Sequence, residues 1–220
     1  ISVVLVFLYH LKIPGFQNGF LGVDIFFVLS GFLMAKLAEK VSPLEFYSRR
    51  LKRLLPAYLV VIFFTTLIVI IITIPSDSNQ RSDRIFYDLL ALSNISFWNE
   101  NSYFESNAFR PLLNLWSLAV EIQFYLLAPF ILPFLNRRRL LLGLVTLLSL
   151  LGSMALLTIS PKTSFFMLPT RLWEFLFGAF AAWYLVRNNK PKVCLLISLP
   201  AALCLFFVLA FYPLPNDSLN

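Results

Sequence analysis

Histidine occurs once in these 220 residues, cysteine twice, and acidic residues only eleven times. Each shortage excludes something. The two cysteines, Cys194 and Cys204, lie ten positions apart in one apolar run, about 15 Å along a helix. Neither a disulfide framework nor a metal-ligand set is expected from that spacing. Charged residues make up 13% of the chain and hydrophobic ones 59%, whereas an ordinary soluble domain is about a quarter charged. Surface-to-volume scaling does not let a soluble fold of this size hide so much apolar surface, so the lipid bilayer is the better solvent. The 24 phenylalanines suit lipid-facing helix surfaces and interfacial belts. The net charge of +7 is read as loop anchors that set topology, with no nucleic-acid partner.

What is present in quantity is long apolar runs. Runs of spanning or near-spanning length fall at about 20–37, 54–74, 116–135, 140–159, 171–186 and 193–212. The stretch Ile1–Tyr9 is too short to cross about 30 Å; it has no basic leader and no small-residue cleavage site. It reads as the far end of a helix that starts earlier, and Pro213–Asn220 likewise reads as a truncation. The expectation is an all-α, polytopic transmembrane bundle, one membrane domain over 1–220 and truncated at both ends, with about seven helices in this chain. Pro75, Pro161, Pro191 and Pro213 fall just beyond runs, where a helix ends at little cost, and Pro129 and Pro133 inside a run predict a kink.

Topology follows from the basic residues. Lys36, Lys40, Arg49, Arg50, Lys52 and Arg53 lie in one connection, Arg137, Arg138 and Arg139 in another, and Arg187, Lys190 and Lys192 in a third. These alternate connections hold twelve of the eighteen basic residues. The intervening ones carry most of the acids, among them Asp77, Asp83, Asp88, Glu100 and Glu105. The positive-inside rule then places the basic connections in the cytoplasm and 10–19, 75–115 and 160–170 outside. Within the long outer loop 75–115, the apolar spacing of Ile85, Phe86, Leu89, Leu90 and Leu92 predicts a short helix over Arg84–Trp98 lying on the outer surface. Asn94-Ile95-Ser96 matches a glycosylation sequon, a pattern frequent by chance.

Ionisable groups inside spanning helices cost about 2.5 kcal/mol or more each on insertion scales. Here they are His10, Asp24, Glu121, Arg171 and Glu174. From the topology, Asp24 lies roughly 6 Å and Glu121 about 7 Å below the outer surface, with His10, Arg171 and Glu174 at outer helix ends. All five fall in the outer third, which predicts one polar pocket open outward, with Arg171 as counter-charge; the competing reading is interface residues that snorkel. His10 is the only side chain suited to act as a base near neutral pH without a large shift, and Glu121 is the candidate to orient its ring.

A second cluster lies toward the other surface, in Phe46–Pro56. Arg49, Arg50 and Arg53 share a helical face while Lys52 points elsewhere. They suit either anionic lipid or phosphate oxygens. Ser30-Gly31, near the middle of the second helix, fits either close helix packing or a narrow passage.

Four stretches, in order, resemble the acyltransferase-3 family. They are Gly19-Phe20-Leu21-Gly22-Val23-Asp24-Ile25-Phe26-Phe27-Val28-Leu29-Ser30-Gly31-Phe32-Leu33; residues 46–59 with Arg49, Arg50, Arg53 and Pro56; Trp116-Ser117-Leu118-Ala119-Val120-Glu121 followed by Gln123-Phe124-Tyr125; and Arg171-Leu172-Trp173-Glu174-Phe175-Leu176-Phe177-Gly178. His10 stands where that family keeps its first-helix histidine. Two positions depart from the pattern: Ile122 replaces a second acid, and Asn114 stands where a histidine often does. The resemblance implies a bundle of about ten helices, of which this chain holds the N-terminal two-thirds. It implies transfer of an acyl group, usually acetyl, from a coenzyme A thioester to a hydroxyl of a cell-envelope glycan or a small molecule. No bound cofactor is implied beyond that donor substrate. Arg49, Arg50 and Arg53 would hold the donor phosphates, the pantetheine arm would pass Ser30-Gly31, and His10 would act as base or as covalent acyl carrier with Glu121 in support. Asp24, Ser30, Arg171 and Glu174 would line the pocket. The alternative from the residues alone is a transporter or flippase for an anionic or lipid-linked substrate.

Overall fold

A backbone in hydrocarbon has no water to bond, so a spanning segment must satisfy its own N–H and C=O groups, which a helix does. The computed structural model describes residues 2–72, 85–99 and 112–188, and every regular element among them is helical. In order these are α1 (Ser2–His10), a 3-10 turn (Gly19–Leu21), α2 (Gly22–Ala38), α3 (Pro43–Ile72), α4 (Ser93–Asn99), α5 (Leu115–Arg137), α6 (Arg139–Ile159), α7 (Pro161–Phe166) and α8 (Leu168–Asn188). Residues 85–89 are helical as well. Four stretches, Gly19–Ala38, Pro43–Ile71, Leu115–Arg137 and Arg139–Ile159, are long and apolar enough to cross a bilayer. The protein is an all-α, polytopic integral membrane protein. The run expected at 193–212 lies outside the described residues.

The expected runs recur with one large difference in boundary. Helix α3 begins at Pro43 and not near residue 54, and its 30 residues span about 45 Å, well beyond the hydrocarbon thickness of about 30 Å. Its start is encoded locally. The Ser42 hydroxyl accepts from the Glu45 N–H at 3.4 Å and the Ser42 carbonyl from the Phe46 N–H at 2.9 Å. Pro43 occupies the first helical position, where its missing N–H costs nothing. Arg49, Arg50, Lys52 and Arg53 therefore sit inside a helix and not in a connection. Helix α5 continues through Pro129 and Pro133. Pro161 opens α7 instead of only closing α6.

The outer loop also differs from expectation. The single surface helix over Arg84–Trp98 is two pieces, divided at Ala91, whose φ of 54° is left-handed backbone that stops a helix. The second piece, α4, buries one face: Ser93 and Asn94 are both 0% exposed and Phe97 is buried, while Trp98 and Asn99 at its end are exposed. Polar side chains satisfy this inserted segment. The Asn94 amide donates to the Phe166 carbonyl at 3.0 Å, and its oxygen accepts from Gln123 Nε2 at 2.8 Å. The Tyr58 hydroxyl donates to the Asp88 carbonyl at 2.5 Å, and the Ser93 hydroxyl to the Asp88 carboxylate at 2.5 Å. Asn94 thus ties α4 to both α5 and α7, and its burial removes the sequon as a modification site. Asn94→Ala leaves Gln123 and the Phe166 carbonyl short of a partner, which costs about 1–3 kcal/mol. A lowered thermal midpoint of the detergent-solubilised protein is the expected result; an unchanged midpoint would show that α4 is not fixed by this residue.

The described residues divide into two compact units, 2–36 with 174–188, and those between 37 and 173. In the first, α2 and the later part of α8 approach to backbone contact. A Cβ built on Gly31 runs into the Phe175 carbonyl, and one built on Gly178 runs into the Val28 carbonyl and lies 2.7 Å from the Phe32 nitrogen. Phe27 and Phe175 stack beside this crossing, 4.6 Å between centroids. Of the two roles open to Gly31, the structure gives it close packing. In the second unit α5 is the central helix, with Leu115, Trp116, Ala119, Val120, Phe124, Ala128 and Leu132 all buried. Tyr58, Ile62, Ala91 and Leu115 form a core where α3 and the inserted loop segment meet α5.

Candidate active site

His10 is the last residue of α1, and the way that helix ends sets its ring. Lys12 adopts φ 53°; its N–H bonds to the Tyr9 carbonyl at 2.9 Å and that of Ile13 to the Leu8 carbonyl at 3.2 Å. This pairing around one left-handed residue is the Schellman stop. The His10 ring is exposed, and Nδ1 lies 2.8 Å from the Val6 carbonyl oxygen. A carbonyl only accepts, so Nδ1 carries the proton and the neutral ring keeps its lone pair on Nε2. Tyr9 meets the ring edge-on, 5.3 Å between centroids. A base or nucleophile must present a lone pair of this kind.

In the same unit, Asp24 stands half-buried in the first turn of α2, where an acid suits the helix N-terminus. Ser30 is 5% exposed and Glu174 is 0% exposed. Each of the four site residues predicted in this unit is thus placed at a helix end or within packed helix; two of the four, Ser30 and Glu174, are buried.

In the second unit the structure brings together residues that the sequence placed near opposite surfaces. Glu121, on α5, is 1% exposed. Its carboxylate Oε1 accepts from the hydroxyl of Tyr125, one turn further along the same face. The Arg50 guanidinium of α3 lies over the Tyr125 ring, 5.7 Å from its centroid. The Tyr47 hydroxyl donates to the Leu126 carbonyl at 2.6 Å, which fixes α3 against α5 at that level. Arg50 is therefore separated from its neighbours in the predicted set. Arg49 is exposed and paired with Glu45 at 2.5 Å, and Arg53 is exposed. Arg171 sits among aromatic rings, 6.0 Å from the Trp116 centroid and 5.1 Å from that of Phe165, with Nε donating to the Phe165 carbonyl at 3.1 Å. Among the described residues no three His, Cys, Asp or Glu side chains gather as a metal set.

Sequence reasoning missed Tyr125 and Tyr47 as members of this cluster. The signal for Tyr125 was its i+4 spacing from Glu121. Tyr47 carries no signal before the start of α3 is known.

Comparison with known proteins decides the family. Residues 1–219 match the model described as an acyltransferase domain. The chain belongs to the acyltransferase-3 family. Two proteins of Staphylococcus aureus illustrate the similarity. One, in strain NCTC 8325 / PS 47, is named O-acetyltransferase OatA; it is 42% identical over 151 residues, 62% of this chain and 24% of its own length. Another, in strain COL, is named "Putative O-acetyltransferase SACOL0978"; it is 32% identical over 247 residues, all of this chain and 40% of its own. The chain thus spans less than half the length of these relatives. No solved structure matches it.

Proposed function

We propose that the protein is a membrane O-acyltransferase that moves an acetyl group from a coenzyme A thioester to a hydroxyl of a cell-envelope glycan. The observation that carries this reading is the match of residues 1–219 to the acyltransferase-3 family, and relatives named as O-acetyltransferases support the acetyl group and the oxygen acceptor. The transfer breaks the thioester C–S bond and forms a C–O bond, and the hydroxyl proton passes to the departing thiolate. His10 Nε2 is the group that takes this proton, or that carries the acyl group between donor and acceptor. Glu121, the buried carboxylate of the second unit, is assigned the supporting role. Asp24, Ser30 and Glu174, in the same unit as His10, and Arg171, in the other unit, are the further polar groups we assign to the reaction.

On the donor side, the exposed guanidinium groups of Arg49 and Arg53, inside the first turns of α3, suit the nucleotide phosphates. The basic connections face the cytoplasm of a bacterial inner membrane by the positive-inside rule. A pantetheine arm passing at the level of Ser30 has to go beside the Gly31 crossing and not through it, since the Phe175 backbone occupies that place. The test is mass spectrometry of envelope glycans from cells with and without the gene. Loss of O-acetyl groups on deletion, restored by the gene in trans, is expected. An identical acetylation pattern in both strains overturns the glycan acceptor.

A further inference from the structure

We propose that Arg50 is a positioning residue for Glu121, acting through Tyr125, and not a ligand of the donor phosphates. The inference rests on the acyltransferase reading and deepens it.

The three arginines of the basic stretch look equivalent in sequence and are not equivalent in space. Arg49 and Arg53 are exposed, and Arg49 already holds Glu45. Arg50 is half-buried, its guanidinium lies over the Tyr125 ring, and its buried Nε has no acceptor among the described residues. The ring face, not a carboxylate, is what holds this cation. It is held there from both sides of the helix crossing. Tyr47, three residues earlier on α3, clamps the Leu126 carbonyl at 2.6 Å, so Arg50 meets α5 at a fixed level, one residue from the clamp.

The consequence runs along α5. A cation over the face of a phenol withdraws electron density from the ring, and the hydroxyl becomes a stronger donor. That hydroxyl donates to Glu121 Oε1. The strengthened, charge-assisted bond holds the carboxylate in one direction. Burying a carboxylate is costly without hydrogen bonds and counter-charge, and Glu121 is 1% exposed. Arg50 supplies positive charge on this side of α5 while Tyr125 keeps it from collapsing onto the carboxylate as a closed ion pair, which would leave Glu121 committed to Arg50 and unable to serve the reaction.

The experiment uses the full-length protein in detergent, acetyl-CoA as donor, a crude envelope glycan fraction as acceptor, and thiol release as readout. Arg50→Gln is expected to lower kcat about 100-fold, the size of effect that a misplacement of order 1 Å produces. It leaves the KM for acetyl-CoA within about twofold, as for a group that does not bind the donor. Tyr125→Phe, which keeps the ring and loses the hydroxyl, has the same signature. The double variant is no worse than either single one, because the two act as a unit. Arg50→Lys keeps a cation over the ring and recovers most of kcat, and Tyr125→Phe carries the test if Arg50→Gln fails to reach the membrane. Arg49→Gln with Arg53→Gln is the comparison and raises KM. A raised KM with kcat retained in the Arg50 variants overturns the inference. A wild-type protein that releases no thiol instead overturns the acyltransferase reading, and this inference falls with it.

Discussion

His10→Ala in the full-length protein inserts and folds like the wild type, and transfers acyl groups about 10²- to 10⁴-fold more slowly, the range that a positioned acid–base group contributes. The two halves of this expectation have separate grounds. The ring is exposed, and its hydrogen bond to the Val6 carbonyl lies within its own helix; truncation leaves no cavity and strands no partner in another element. Chemically, the bond to Val6 commits Nδ1 and leaves the lone pair on Nε2, and both mechanisms need that lone pair. They differ in what accumulates when acceptor is withheld: an acyl carrier leaves one acetyl on the protein, a simple base leaves none. Intact-mass measurement after a pulse of acetyl-CoA separates them. Near-normal transfer by His10→Ala removes His10 from the mechanism altogether.

Gly31→Val is the second large effect, and it acts on stability. The first added carbon already meets the Phe175 carbonyl, a backbone atom that cannot rotate away. Overpacking a well-packed contact costs about 1–3 kcal/mol, occasionally more, and three added carbons against backbone belong at the top of that range or beyond it. Gly178→Ala faces the Val28 carbonyl and is expected to fail in the same way. Gly143 and Gly152 in α6 give the opposite sign, since a Cβ there meets nothing within 4 Å; alanine at either gains about 0.5–1 kcal/mol from helix propensity. Thermal unfolding of the four variants checks all of this at once. Equal behaviour at Gly31 and Gly143 would contradict the helix crossing.

These glycines show where sequence legibility stopped. Ser30-Gly31 was recognisable as a small pair in a spanning helix, but packing and passage make the same demand for small residues, and only the position of Phe175 separates them. The apolar runs gave α2, α5 and α6 to within a few residues because hydrocarbon thickness fixes their length. The same logic misplaced the start of α3, because a hydropathy run marks where a helix meets lipid and not where it begins. The capping sequence Ser42-Pro43-Leu44-Glu45 was the better guide. That shift carried Arg50 into a helix and up to Tyr125, so the separation of a basic cluster from Glu121 did not survive. The outer segment was misjudged for a related reason: apolar spacing predicted a helix but not its depth, and Ser93, Asn94 and Asp88, polar and surface-like in sequence, are buried because they bond to one another's elements.

The proposed function has the donor supplied at the cytoplasmic face of the membrane and the acceptor at the outer face. Full-length protein in sealed vesicles, oriented with Arg49 and Arg53 inward, tests it most directly, with radiolabelled acetyl-CoA in the lumen and glycan outside. The account predicts label on the external glycan, and none when acetyl-CoA is supplied only outside. Transfer that proceeds only when both substrates share one side would contradict it.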